Sequence, residues 1–151
     1  MRAVRGGAIA LSESPDAVFQ AALGVVQNTK SCKVLAVHNE GRKLVATDRS
    51  MWSNKKIIVV NVDPEDGSTA LYVAVGADPR TPAAVMDGWS NDRGLKKFVG
   101  RIQGALDGSA PVQVTPVANH YVQKKTEVPW ADPNQEPDIQ LGGNLLAMYG
   151  L

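Results

Sequence analysis

Cysteine is nearly missing from this chain: Cys32 is the only one in 151 residues. A single thiol excludes an intramolecular disulfide and any cysteine-rich zinc site. Placed at the start of a strand, Cys32 reads as a packed structural thiol. Histidine is scarce too. His38 and His120 stand alone, in no spacing that builds a zinc site or a catalytic triad. The chain has no P-loop, no G-x-G-x-x-G and no G-x-S-x-G elbow, and nothing in it calls for a cofactor or a metal. An excess of either charge is absent as well. Sixteen basic against fifteen acidic side chains leave +1, so no bulk electrostatic case exists for nucleic acid or anionic lipid. No apolar run approaches the roughly 18 residues of a membrane-spanning helix. The start, MRAVRGGAIALSES, has two arginines before an apolar run at Gly6–Leu11. That run is shorter than the roughly 7–15 residues of a signal-peptide core, so the segment is read as a strand and the expectation is a cytoplasmic protein.

What is present is ordinary globular material, 44% hydrophobic and 21% charged, long enough to bury one core. Its densest β-branched run lies in Lys55–Gly76, read as two strands joined by Pro-Glu-Asp-Gly. Pairing Val62 with Thr69 puts Ile58, Val60 and Val62 on one face with Leu71 and Val73, a core face. The opposite face carries Ile57, Val59 and Asn61 beside Ala70, Tyr72 and Ala74. A solvated face would alternate to charged residues, and this one does not. The expectation is that the C-terminal segment or a second chain covers Ile57, Val59 and Tyr72.

Before this hairpin, Ala8–Ser12 reads as a short strand. Ser14-Pro15-Asp16 starts a helix with a capping hydroxyl, proline at the first helical position and an acid in the first turn. That helix runs to Gln27 and is apolar over most of its circumference. Cys32–His38 and Lys43–Asp48 form a second hairpin around Asn39-Glu40-Gly41-Arg42. After it all, Thr81-Pro82 starts a short helix ending at Gly88. A last helix, Asp92–Leu106, shows Leu95, Phe98, Val99, Ile102 and Leu106 as an apolar stripe.

Beyond Gly108 the composition shifts. Five of the nine prolines lie between Pro111 and Pro137, and no helical period remains. The chain is thus read as an α+β domain over residues 1–108 and an extended arm over 109–151. The arm is not disordered in composition, because aliphatic and aromatic residues recur along it. Its end concentrates Leu141, Leu145, Leu146, Met148 and Tyr149.

The order strand–helix–four strands–helix over Ala8–Leu106 resembles the TATA-binding-protein-like two-layer folds. The resemblance implies a mainly antiparallel four- or five-stranded sheet with two helices on one face. In that group the free sheet face can lie on DNA through basic residues and aromatic wedges. Neither is present here, so nucleic acid is not expected. Relatives of this layout with a larger cavity hold apolar ligands between sheet and helix.

Two functional readings follow. The first is a non-enzymatic assembly module, self-associating through the second sheet face (Ile57, Val59, Tyr72) or the arm's end (Leu141, Leu145, Leu146, Met148, Tyr149). The alternative is a small-molecule or anion-binding protein, or an enzyme, with a site at the loop of Arg80, Trp89 and Arg93. There the guanidinium groups would join the N-terminal N–H groups of the last helix. Asp63, Glu65 and Asp66 are read as a solvated turn and not as a cation site.

Overall fold

The computed structural model describes residues 2–49, 55–78 and 87–139. Two helices pack on one face of an open antiparallel sheet of seven strands. In chain order these are β1 (Arg2–Leu11), α1 (Pro15–Gln27), β2 (Cys32–His38), β3 (Lys43–Asp48), β4 (Lys56–Glu65), β5 (Ser68–Ala77), α2 (Asp87–Asp107), β6 (His120–Gln123) and β7 (Thr126–Pro129). The sheet order is β1-β5-β4-β3-β2-β6-β7. The expected strand–helix–four strands–helix order is therefore present, and the sheet is wider than the four or five strands expected. The arm supplies the difference.

Local chemistry explains most boundaries. Ser14 Oγ accepts from the Ala17 N–H at 3.2 Å, with Pro15 opening α1. Asn28 closes it, its N–H donating to the Gly24 carbonyl at 3.0 Å. The β2–β3 hairpin pairs His38 with Lys43 as its four-residue turn requires. The β4–β5 register differs from expectation by two residues: Val62 faces Leu71 and Glu65 faces Ser68. The turn is Asp66-Gly67 alone, with Gly67 at φ 74°. An Asp-Gly pair suits such a tight turn so well that both strands run on to it through Pro64. A shift of two preserves the faces, so the core assignment survives. The last helix is longer than expected, beginning at Asp87 and ending where Gly108, at φ 81°, takes the left-handed position past the helix. Gly88 lies inside it instead of ending a separate helix, and Thr81-Pro82 falls outside the described residues.

The main core lies between helices and sheet. Val18, Leu23, Val25 and Val26 of α1 and Phe98 and Ile102 of α2 meet Leu44, Ile58, Val60, Leu71 and Val73. A second cluster lies on the opposite face, where Trp130 and Ile139 cover Ala36, Val45, Ile57, Val59 and Ala74. Getting there, the arm first runs along α1. Val112 and Val114 close on Gly24, where a Cβ would come within 2.7 Å of a Val112 methyl. Gln27 exchanges two hydrogen bonds with the Thr115 backbone, at 2.8 and 2.9 Å. Asn119 Oδ1 then accepts from the backbone N–H and the side-chain amide of Asn39, at 2.8 and 2.7 Å. From there β6 adds to the edge of β2, and β7 turns back. Trp130 crosses to the second face, its Nε1–H shared between the carbonyls of Asp132 and Gln135.

Two consequences are measurable. Replacing Trp130 by Ala removes the largest cover of the second face and should cost about 3–5 kcal/mol in denaturant unfolding. A loss under about 1 kcal/mol would mean that the arm does not hold that face. The β6–β7 turn places Lys124 and Lys125 at φ 49° and 68°, a backbone that favours Asn-Gly. The double change Lys124→Asn, Lys125→Gly should raise the melting temperature by roughly 3–5 °C.

Candidate functional site

Antiparallel pairing brings the start of β2, the end of β3, the start of β4 and the end of β5 to one end of the sheet. Cys32 faces Asp48, Asp48 faces Lys56, and Lys56 faces Ala77. The three side chains share the parity of Val34, Ala46 and Ile58, which point into the helix-side core. A row of polar side chains therefore enters the interlayer space where the apolar core ends.

The row is enclosed from several sides. Lys56 is only 8% exposed. Its Nζ lies 3.2 Å from where a Cβ on Gly94 would stand, so α2 passes close over the lysine. Asn91 of α2 and Asp78, just beyond β5, are also buried. Asp78 donates its N–H to the Lys55 carbonyl at 2.8 Å, and its Oδ2 lies 4.0 Å from Lys55 Nζ. Arg101 of α2 donates to Thr29 Oγ1, beside Cys32. The notable atom is Asp48 Oδ1, which is buried and accepts no hydrogen bond. A carboxylate oxygen in that condition carries a desolvation cost of about 1–3 kcal/mol or more, unless a donor reaches it. Among the described residues no group of three metal-ligating side chains occurs.

Burial, and then the Asp48 charge, push the Cys32 thiol up to about 11. Cys32 is thus a thiol at neutral pH and not a nucleophile.

The residues singled out in the sequence fall in three places. Ile57 and Val59 are fully buried under the Trp130–Ile139 cover. Tyr72 shares their face but is half-exposed, its hydroxyl donating to Glu65 Oε1 at 3.4 Å. The Glu65 carboxylate is the main cause holding that phenol above its usual range. Leu141, Leu145, Leu146, Met148 and Tyr149 lie outside the described residues, as does Arg80. Arg93 is exposed on α2. Because α2 begins at Asp87, Arg93 sits beyond the first turn and its free N–H groups. Asp92, also inside that helix, pairs with Lys96 at 3.1 Å. Sequence reasoning missed the Cys32–Asp48–Lys56 row. Its signal was there, since Asp48 and Lys56 occupy core-facing positions in the alternation of their strands.

These features define an α+β protein with two helices on an open antiparallel sheet and a polar row at one end of the interlayer space. No family model matches the chain, and no curated protein does. Solved structures do match in fold. Ara h 8.0201 superposes with a TM-score of 0.53 at 11% identity, over 70% of this chain and 97% of its own. MLL2253 from Mesorhizobium loti gives 0.53 at 14% identity, over 70% and 98%. DynU16, from the dynemicin biosynthetic locus, gives 0.53 at 13% identity, over 74% of this chain and 49% of its own, so the chain corresponds to about half of that protein. At such identities the likeness is one of fold. None of the three is described as TATA-binding-protein-like, and that resemblance rests on element order alone.

The Cys32 environment predicts a pH dependence. A thiol titrating near 11 is ionised at pH 8 to about one part in a thousand. Alkylation of the folded protein by iodoacetamide should be slow there and climb about tenfold per pH unit up to pH 10. Asp48→Asn, which removes the second cause, should label several-fold faster at pH 8. A rate that levels off above pH 9 would mark an ordinary thiol instead.

Proposed function

We propose that the protein binds a small molecule at the polar end of the space between sheet and helices. The ligand is a largely apolar compound whose hydroxyl or amine donates to Asp48. The observation that carries this reading is the buried, unbonded Asp48 Oδ1. Proteins avoid burying an acceptor without a donor, and a ligand donor arriving between Cys32, Lys56 and α2 would satisfy it. The apolar body of the ligand would rest on the adjoining helix-side core.

Two further facts support this reading over self-assembly through the sheet. The assembly reading was motivated by an apolar second face in need of a cover. Trp130 and Ile139 of the same chain supply one, which leaves less apolar surface to offer a partner. The fold is also shared with a protein of a biosynthetic locus, a setting in which small molecules are made and handled.

A fluorescent titration with 8-anilinonaphthalene-1-sulfonate tests the idea, because that probe combines an apolar body, an N–H donor and an acidic group. The expected result is saturable binding of one probe per chain. Asp48→Ala should weaken it about tenfold, a loss of about 1.4 kcal/mol, without lowering the melting temperature, since the change also removes an unsatisfied buried oxygen. No saturable binding, or equal binding by wild type and Asp48→Ala, would sink the proposal.

A further inference from the structure

Helix α2 brings a positive charge to the polar row and gives it no acidic partner. Arg101 follows Gly94 by seven residues, two turns along the same side of the helix. Gly94 lies against Lys56, at one end of the row. Arg101 donates to Thr29 Oγ1, and the Thr29 carbonyl accepts from the Cys32 N–H at 3.0 Å, at the other end. Seven helical residues rise about 10 Å, and the two strand spacings from Lys56 to Cys32 add to about the same. The helix therefore runs the length of the row, with Asp48 between its ends.

The guanidinium is held in place by one bond only. Thr29 Oγ1 donates its proton to the Val25 carbonyl at 2.7 Å, so it meets Arg101 as an acceptor. That uses one of five guanidinium N–H groups. Among the described residues no carboxylate pairs with Arg101. Asp48 is near: after burial, its charge does most to raise the Cys32 thiol, and Arg101 draws the same thiol down. The two nevertheless form no ion pair, and Asp48 Oδ1 is left without a donor. Opposite charges kept apart beside one sulfur leave an acceptor on one side of a gap and donors on the other. A plain alcohol or amine would satisfy only Asp48, and a plain acid only Arg101.

We infer that the ligand at Asp48 is a carboxylic acid with an apolar chain and a hydroxyl or amine a few atoms from the carboxyl group. Its donor meets Asp48 Oδ1. Its carboxylate meets Arg101, whose planar fork suits that geometry. The inference rests on the site proposed above and adds Arg101 to it as the residue that selects for acids.

Calorimetric titration of the full-length protein with 3-hydroxydecanoic acid, its methyl ester and decanoic acid separates the two ends. The ester keeps the donor without the charge, and decanoic acid keeps the charge without the donor. The hydroxy acid should bind about tenfold tighter than either. Arg101→Gln should weaken both acids about tenfold and leave the ester unchanged. Asp48→Ala should weaken the hydroxy acid and the ester without weakening decanoic acid. Equal binding of ester and hydroxy acid by the wild type overturns the inference. So does an Arg101→Gln loss equal for all three compounds, the mark of a purely structural tie to Thr29. In either case ester binding that still falls with Asp48→Ala leaves the site itself standing. Binding of none of the three also overturns the inference, and the Asp48-dependent probe titration then decides separately whether the site stands.

Discussion

The constraint on which this structure depends is that strands β3, β4 and β5 are apolar on both faces. Ile58 and Val60 point one way and Ile57 and Val59 the other, and all four are buried. Antiparallel sheets commonly leave one face to water, but these side chains do not permit it. Each face must have its own cover. The helices provide one, and the other has to come from whatever chain remains. Residues 109–139 are long enough to cross from the end of α2, past the β2–β3 turn, and onto the far face.

That requirement also shapes the connections. The arm must leave α2, pass α1 closely, and reach the β2 edge before it can turn under the sheet. Gly24 removes a side chain where Val112 and Val114 press on α1. Asn39 and Asn119 join turn to arm, and Asn119 in turn donates to Glu40, the main cause holding that carboxyl below its usual range. Gly41 lets Pro133 lie against the β2–β3 turn, where a Cβ would come within 2.5 Å of the proline ring. His38 sits beneath, with Nδ1 accepting from the Gly41 N–H at 2.9 Å and Nε2 facing the Ala131 carbonyl at 3.1 Å. The Nε2 contact fastens the arm, while the Nδ1 contact holds the ring against its own turn, an arrangement in which Nδ1 accepts and Nε2 donates.

Much of this was legible in local chemistry. Ser14-Pro15 and Asn28 marked α1 correctly because capping is a short-range matter, decided by residues within one turn of each other. The two-faced character of Ile57 and Val59 was visible because strand alternation needs no tertiary information. The strands of the arm were not visible. Residues 120–129 read as a proline-flanked extended stretch, and their pairing depends on the free edge of β2, which lies over eighty residues earlier in the chain. The polar row was missed for a related reason. Cys32, Asp48 and Lys56 become neighbours only through cross-strand register, and each alone looks like a strand-end residue. The register at β4–β5 was misjudged by two because Pro64 was read as a terminator, whereas near the tip of a hairpin a strand tolerates it.

Where function can reside follows from how the arm is tied. Its fastenings are spread along its length, at Gln27 with Thr115, at Asn39 with Asn119, at the β2–β6 ladder and at Trp130. Releasing any one leaves the others in place, so the cover cannot peel away in a low-cost step. Exposing Ile57 and Val59 would require losing the β6–β7 hairpin and the Trp130 contact together. A surface that costs that much to uncover is poorly suited to reversible binding, where differential affinity has to offset the opening. The polar end of the interlayer space, where Asp48 holds a buried oxygen that accepts no hydrogen bond, needs no such opening.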